Sequence, residues 1–147
     1  MEEGLALIRH CGEPEQWLAV LVTIDDDMSP QASVVNAGIL RHPVTGATCL
    51  GVVASGGARK LANLRRRARA TLVFRHGWEW VSVTGDTELV GPDDSAPGID
   101  AAARRQLLRD IFADAGGTHD DLDEYDRVMA AEGRTAILVA PERIVSN

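Results

Sequence analysis

The sequence contains few cysteines, a single lysine and no long hydrophobic segment. Cys11 and Cys49 are its two cysteines, and neither belongs to a CxxC motif or has a histidine at the spacing of a metal ligand. Proteins that depend on disulfides or on a structural zinc ion use closely patterned cysteines. We therefore expect neither a disulfide framework nor a zinc site, and we expect both cysteines to be small core or semi-buried residues.

No apolar stretch approaches the roughly 20 residues that a membrane-spanning helix needs. Two acidic residues follow Met1, and the first segment lacks the basic region and the long apolar core of a secretion signal. A length of 147 residues, with 45% hydrophobic and 25% charged residues, is typical of one globular domain. We therefore expect a single domain over residues 1–147, located in the cytoplasm, without a membrane-spanning segment.

The formal net charge is −7, from 15 basic and 22 acidic residues. A protein that binds nucleic acid needs a broad basic surface, because its ligand is a polyanion. This charge balance disfavours nucleic-acid binding. It favours a small anion that binds at one place on the protein.

The histidines and the acidic residues form no catalytic or metal-binding motif. His10, His42, His76 and His119 are scattered, and nothing in the sequence indicates that they converge on a Ser/His/Asp triad or a metal ion. The acidic segment over residues 119–126 lacks the glycine and the later glutamate of an EF-hand loop, and it is more typical of an acid-rich helix start. We therefore predict no metal site, and we assign no catalytic side chain.

The hydrophobic pattern predicts a mainly β fold. Apolar, β-rich segments bounded by turn residues predict strands over residues 18–24, 32–40, 47–53, 70–74 and 78–90, and a last strand that ends near Pro141. Helical spacing predicts helices over residues 5–12, 57–69, 99–116 and 118–133. Because strands and helices do not alternate strictly, the order fits a small antiparallel barrel with peripheral helices. Gly85, in the middle of a strand, predicts a bulge or a close backbone approach.

One short segment carries six of the 15 basic residues, namely Arg59, Lys60, Arg65, Arg66, Arg67 and Arg69. It begins where a predicted strand gives way to a helix, with Ser55 just before it. Hydroxyl, guanidinium and ammonium groups at a helix N-terminus bind phosphate, although neither P-loop nor GxGxxG spacing is present. The segment therefore predicts a site for a small phosphorylated ligand. A solvated helix face with surface ion pairs is the alternative explanation for its later arginines.

Several segments, in order from about Leu18 to Ile144, resemble the flavin- or deazaflavin-dependent split-barrel reductases related to pyridoxamine 5′-phosphate oxidase. The most specific are SGGARKLANLRRRARATLVF, WEWVSVTGDTELV and the closing TAILVAPERIV. The segment around Asp121, Tyr125 and Met129 is most similar to the actinobacterial branch that uses the deazaflavin coenzyme F420.

The resemblance implies a six-stranded antiparallel split β-barrel (FMN-binding split barrel) with peripheral helices. It also implies a homodimer with cofactor sites at its interface. From the strand pattern itself, Trp78 and Trp80 are expected in the core or at a dimer interface, and a ring near a cofactor is the less favoured alternative. The resemblance implies six cofactor-binding residues. Arg59 and Lys60 would hold the phosphate, and Ser55 and Asn63 would support these two residues. Gln31 and Ser33 would face the ring system. The later arginines of the basic segment would contact the acidic tail of F420.

The activity that the resemblance implies is hydride transfer between reduced F420 and a small conjugated acceptor. An FMN-dependent enzyme similar to pyridoxamine 5′-phosphate oxidase and a non-catalytic protein that binds a flavin or F420 remain the alternatives. A nucleic-acid contact through the later arginines is the least favoured of the hypotheses, given the acidic net charge.

Two places depart from the pattern of that family. The first turn has Met28 where the family has glycine, so we expect a different hairpin tip. The basic helix lacks the usual proline and aspartate near Ala68, so we expect the helix to run longer.

Overall fold

The computed structural model describes all residues from Met1 to Asn147. The strands are β1 (Leu18–Ile24), β2 (Pro30–Asn36), β3 (Gly38–Arg41), β4 (Thr48–Ala54), β5 (Arg69–His76), β6 (Glu79–Val90), β7 (Thr135–Val139) and β8 (Arg143–Ser146). The α-helices are α1 (Glu2–Gly12), α2 (Arg59–Arg66), α3 (Ala101–Asp114) and α4 (Leu122–Ala131), and a short 3₁₀ helix spans Glu13–Glu15. None of the helices is both long and apolar enough to span a bilayer.

All the strands pair antiparallel, in the order β2-β1-β5-β6-β7-β4-β3, and β8 pairs with β6 outside this path. The two ends of the path, β2 and β3, are separated along the chain only by Ala37. The predicted fold class, mainly antiparallel β with peripheral helices, is confirmed.

The structure has eight strands where the sequence predicts six. The predicted strand over residues 32–40 is interrupted at Ala37, whose N–H donates to the carbonyl of Trp17 at 2.9 Å. The last predicted strand is also divided, into β7 and β8, where Ala140 passes over Gly85. A Cβ built at Gly85 would overlap with the carbonyl oxygen of Ala140. The predicted close backbone approach at Gly85 is therefore confirmed.

The turn between β1 and β2 contains a residue with positive φ that is not a glycine. Met28 has φ of 71°, and its N–H donates to the carbonyl of Asp25 at 2.9 Å. The carboxylate of Asp27 accepts a hydrogen bond from the N–H of Ser29 at 2.9 Å. The left-handed conformation that glycine adopts freely is therefore present here in a methionine, which adopts it at a cost.

The expectation of a longer α2 is wrong. The helix begins at Arg59 and ends at Arg66, and Arg67 already has extended backbone, with φ −136° and ψ 101°. The carbonyl of Ala68 accepts from the N–H of Thr87 at 2.9 Å, which joins this segment to β6 just before β5 begins. Sheet pairing ends the helix where a proline would otherwise be expected to do so.

Two groups of buried apolar side chains hold the helices to the sheet. The larger one contains Leu72 and Phe74 together with Ile8 of α1. The second contains Ile111 of α3 and Tyr125 of α4, packed against residues of β4 and β7. Both cysteines are buried and free, as predicted. In α4, Tyr125 is buried, whereas Leu122 and Val128 are exposed.

Candidate functional site

A cavity of about 1030 Å³ lies between the sheet and the helices α3 and α4. Most of its wall is apolar, with Val34 from β2, Val53 from β4, Phe112 from α3, and Trp17 before β1. Phe112 also stacks on Tyr125, with ring centroids 5.0 Å apart. A cavity of this size with apolar walls and a few polar groups is typical of a ligand or cofactor site.

One end of the cavity is positively charged. Lys60 and Arg134 both line it. Lys60 is half-buried and forms no ion pair or hydrogen bond through Nζ, whereas Nε of Arg134 donates to Glu132 at 3.0 Å. Burial and, to a smaller degree, the positive charge of Arg134 lower the pKa of Lys60. An ammonium group removed from water without a partner is unfavourable, and an anion in the cavity would relieve this.

Arg59 does not line the cavity. Its guanidinium NH2 lies 2.7 Å from Oδ2 of Asp25, a side chain that is 12% exposed. Consecutive residues of a helix project about 100° apart, so Arg59 and Lys60 point in different directions from α2. The structure thus separates the two side chains that the sequence assigns to one phosphate.

Asn63 and Gln31 belong to a hydrogen-bond network between α2 and the sheet. Nδ2 of Asn63 donates to the hydroxyl of Thr23 at 3.0 Å, and this hydroxyl donates to Oε1 of Gln31 at 3.2 Å. Oδ1 of Asn63 accepts from Arg66 at 2.7 Å. Neither Asn63 nor Gln31 is part of the cavity wall, and their roles in cofactor binding stay predictions.

The two serines of the predicted site differ in position. Ser55 lines the cavity just before α2. Ser33 lies on β2 outside the cavity wall, and its hydroxyl oxygen is buried without a hydrogen-bond partner in the protein. Buried polar atoms without partners are rare in proteins. Ser55 and Lys60 are therefore the predicted residues that the structure brings together.

Most of the later arginines are engaged in ion pairs. Arg65 binds Asp94 through two hydrogen bonds of 3.0 and 2.6 Å, which lower the pKa of this aspartate. Arg69 lies 2.8 Å from Asp86, and Arg66 lies 3.8 Å from Asp25. Arg67 alone among them has no acidic partner. This arrangement favours the solvated helix face over a site for an acidic tail.

The outer face of the sheet carries exposed apolar side chains. Val20 of β1 lies opposite Val34 of β2 in the pairing, and both are exposed, Val34 to 68%. Val145 of β8, on the same sheet, is also exposed. Trp78 is 92% exposed at the tip of the β5–β6 hairpin, so it is not a core residue, and Trp80 is partly exposed.

The sequence analysis missed Arg134 and the aromatic wall. Arg134 precedes β7, far along the chain from Lys60, and it reaches the cavity only because β7 pairs with β4. Trp17 enters the cavity wall through an unusual backbone, with φ of 58°. No local pattern marks either residue, since both positions depend on long-range pairing.

Comparisons with known proteins support the fold. No family model and no curated protein matches the sequence. A conserved hypothetical protein from Mycobacterium tuberculosis is similar in structure, with a TM-score of 0.63 and 19% identity, over 88% of this chain and 75% of that one. An F420 reductase is similar with a TM-score of 0.58 and 14% identity, over 88% of this chain and 90% of that one.

A pyridoxamine 5′-phosphate oxidase-related, FMN-binding protein from Nostoc punctiforme is also similar, with a TM-score of 0.63 and 15% identity, over 98% of this chain and 81% of that one. At identities this low, the likeness concerns the fold alone. The resemblance inferred from the sequence is therefore confirmed for the fold. The chain therefore has the split-barrel fold of the pyridoxamine 5′-phosphate oxidase-related, FMN-binding proteins.

Proposed function

We propose that the protein is an oxidoreductase that binds a flavin-type cofactor in the cavity between the sheet and the helices α3 and α4. With F420 as the cofactor, it would transfer a hydride between the reduced cofactor and a small conjugated acceptor. The observation that carries the proposal is Lys60, a half-buried cation without a partner at one end of a largely apolar cavity. Such a cavity fits a ligand with a flat apolar ring system and an anionic group. The F420 reductase and the FMN-binding protein with this fold support a cofactor of this class.

The residues present fit the phosphate of such a cofactor. Lys60 would neutralise it, and Ser55 would donate a hydrogen bond from the adjacent strand end. The N-terminus of α2 has no side-chain cap, which leaves N–H groups of the first turn free for an anion. The apolar wall, with Trp17, Val34 and Phe112, would hold the ring system and exclude water.

When bound, the cofactor supplies the hydride chemistry, and the protein supplies binding and orientation. The Tyr125 hydroxyl is not available as a proton donor, because it donates to the carbonyl of Leu108 at 3.1 Å. Burial raises the pKa of this hydroxyl, so it stays protonated. No side chain is therefore assigned to proton transfer.

FMN is the second candidate cofactor, and the FMN-binding protein with the same fold favours it. A yellow protein with a flavin spectrum after purification would identify this case. A protein that binds cofactor without catalysis would bind tightly and show no turnover with a panel of enones and quinones.

We also propose that the protein forms a homodimer through the outer face of the sheet. A contiguous exposed apolar face is typical of an interface. Val34 belongs both to this face and to the cavity wall, so a second copy of the chain would border the cavity. The dimer and the cofactor site would thus be formed by adjacent surfaces.

The test is a fluorescence titration of the wild type with F420 and with FMN, repeated on Lys60→Ala. We expect Lys60→Ala to lose about 10-fold or more in affinity, which corresponds to one hydrogen bond to a charged group. Arg67→Ala is the matched control, because Arg67 is an exposed cation outside the cavity. Unchanged affinity in Lys60→Ala would contradict the role of Lys60. Binding of neither cofactor by the wild type would contradict the proposed function.

A further inference from the structure

Two aromatic side chains of the cavity wall border the same pair of glycines. Trp17, Phe112, Gly116 and Gly117 all line the cavity. A Cβ built at Gly116 would lie 3.6 Å from Cδ1 of Trp17, and a Cβ built at Gly117 would overlap with the ring of Phe112. Because these glycines are consecutive and carry no side chains, the two rings flank a strip of backbone that is open to the cavity. We call this arrangement the aromatic cleft.

Both rings of the aromatic cleft are held in place by other aromatic rings. Trp17 packs edge-to-face on the buried Phe74, with ring centroids 6.4 Å apart, whereas Phe112 stacks on Tyr125 at 5.0 Å. Tyr125 is itself buried and is fixed by its hydrogen bond to the carbonyl of Leu108. Trp17 and Phe112 thus contact different aromatic partners, and both are only half-buried. Each ring therefore has apolar surface left for a ligand in the cavity.

The indole of Trp17 is positioned by an unusual backbone. Gln16 and Trp17 have φ of 57° and 58°, a conformation that residues other than glycine rarely adopt. The N–H of Trp17 donates to the carbonyl of Gly12 at 2.8 Å, and its carbonyl accepts from the N–H of Ala37 at 2.9 Å. Gly12 also lies under the indole, since a Cβ there would be 2.7 Å from Cε3. Strained backbone that is maintained by its surroundings is concentrated at functional sites.

The aromatic cleft lies away from the cationic end of the cavity. Ala37, which is hydrogen-bonded to Trp17, directly precedes β3. The first residue of β3, Gly38, pairs with Gly51 of β4. Ser55, at the cationic end, lies four residues after Gly51, a span of roughly 13 Å in extended chain. A cofactor with its phosphate at the cationic end would therefore extend its ring system toward the aromatic cleft, together with the acceptor that lies on this ring system.

We propose that the aromatic cleft selects the acceptor, and that this acceptor carries a flat aromatic ring conjugated to the group that is reduced. Aromatic rings stack with an offset or pack edge-to-face, and these contacts stabilise a complex beyond the area that they bury. A saturated ring of the same size is puckered and lacks them. Trp17 and Phe112 are thus specificity-determining residues. This inference rests on the proposed function and narrows its small conjugated acceptor to aryl compounds.

The test measures the binding of two matched enones to the purified protein by isothermal titration calorimetry. Benzylideneacetone carries a phenyl ring, and its cyclohexyl analogue carries a puckered ring of similar volume on the same enone. We expect the wild type to bind benzylideneacetone about 3- to 10-fold more tightly than the analogue. Trp17→Leu keeps the wall apolar without the ring, and it should reduce this preference below about 2-fold. Equal affinities in the wild type, or binding of neither enone, would overturn the inference.

A second variant narrows the aromatic cleft without replacing either ring. Gly117→Ala adds a methyl group that displaces Phe112, and it should weaken the binding of benzylideneacetone about 5-fold or more. Gly4→Ala is the matched control, because its methyl group meets the side chain of Ile144, and neither residue lines the cavity. Unchanged affinity in Gly117→Ala, or an equal loss in Gly4→Ala, would overturn the role of Phe112.

The titration with F420 and FMN is made on the same preparations, so that the two proposals can fail separately. A wild type that binds either cofactor but does not prefer benzylideneacetone to its analogue would overturn the inference alone. A wild type that prefers benzylideneacetone but binds neither cofactor would overturn the proposed function, and the aromatic cleft would then bind an aromatic ligand of another kind.

Discussion

Nδ2 of Asn63 donates to Oγ1 of Thr23 at 3.0 Å, and both side chains are buried. This hydrogen bond connects α2 to β1, and Arg66 donates to the other side of the same amide at 2.7 Å. The polar atoms of Asn63 are thus used within the protein. Its contribution to the site is to fix α2, and with it Lys60, on the sheet.

We expect Asn63→Leu to lower the free energy of unfolding by about 1 to 3 kcal/mol, because the Thr23 hydroxyl loses a buried partner. Urea denaturation measures the change. The double variant Thr23→Val/Asn63→Leu should recover part of the loss, since it removes both polar partners. A variant of unchanged stability that lost cofactor affinity would instead place Asn63 in the binding site.

Met28→Gly should stabilise the protein. Met28 is 62% exposed and has φ of 71°, so glycine relieves the left-handed strain without loss of packing. The gain in free energy of unfolding should be about 0.5 to 1 kcal/mol, after the greater entropy of glycine in the unfolded chain is subtracted. Ala62→Gly, at an exposed position of α2, is the control and should cost about 1 kcal/mol. A destabilised Met28→Gly would contradict the assigned strain.

Gly85→Ala should destabilise the protein severely, by about 3 kcal/mol or more, because the new Cβ meets the backbone carbonyl of Ala140. Either β7 and β8 must move away from β6, or the chain does not fold. Gly57→Ala is the matched control, since a Cβ at Gly57 has no other atom within 4 Å. Thermal unfolding measures the stability of the two variants. Equal melting temperatures would contradict the prediction.

The strands were the most predictable part of the fold. The prediction for residues 18–24 matches β1 at both ends, because an apolar, β-rich run is bounded there by a cluster of aspartates. The break at Ala37 was not predictable, because it follows from a hydrogen bond to Trp17 that no local pattern encodes. The end of α2 was mispredicted for the same reason, since pairing of β5 with β6 overrides the helical tendency of the arginines.

The site was predictable in part. The strand end and the basic start of α2 led to Ser55 and Lys60, which line the cavity. The sequence did not show that Arg59 is paired with Asp25, because this ion pair depends on how the β1–β2 turn meets α2. Arg134 was not identified, because its approach to Lys60 depends on the pairing of β7 with β4.

Val34→Glu should shift the protein from dimer to monomer. Val34 is 68% exposed on the outer face of the sheet, and a carboxylate there would be buried without a partner in the proposed interface. Sedimentation velocity measures the oligomeric state. Val44→Glu is the control, because Val44 is 53% exposed in the turn between β3 and β4. A wild type that sediments as a monomer would contradict the proposed dimer.

Cofactor affinity should fall at alkaline pH. Burial lowers the pKa of Lys60 from its ordinary value of 10.5, so its charge is lost at a lower pH than that of a free lysine. Affinity for the anion should therefore decline as the pH rises through the lowered pKa of Lys60. Lys60→Arg should remove the decline, since a guanidinium stays charged.

The lowered pKa of Lys60 affects the stability of the ligand-free protein in the opposite direction to cofactor affinity. Between the lowered pKa and 10.5, the unfolded chain binds more protons at Lys60 than the folded protein does. The contribution of Lys60 to the free energy of unfolding therefore rises with pH in this window. A fall in that contribution, measured as the difference between wild type and Lys60→Met, would contradict the burial of a charged Lys60.

The position of β7 in the sheet has a consequence for synthesis of the chain. β7 pairs with β4 on one side and with the second half of β6 on the other. Until residues 135–139 leave the ribosome, both of those strands present unpaired edges, which are templates for association with other chains. The nascent protein is therefore most exposed to aggregation while α3 and α4 are being added, and this is the interval in which a chaperone would matter most.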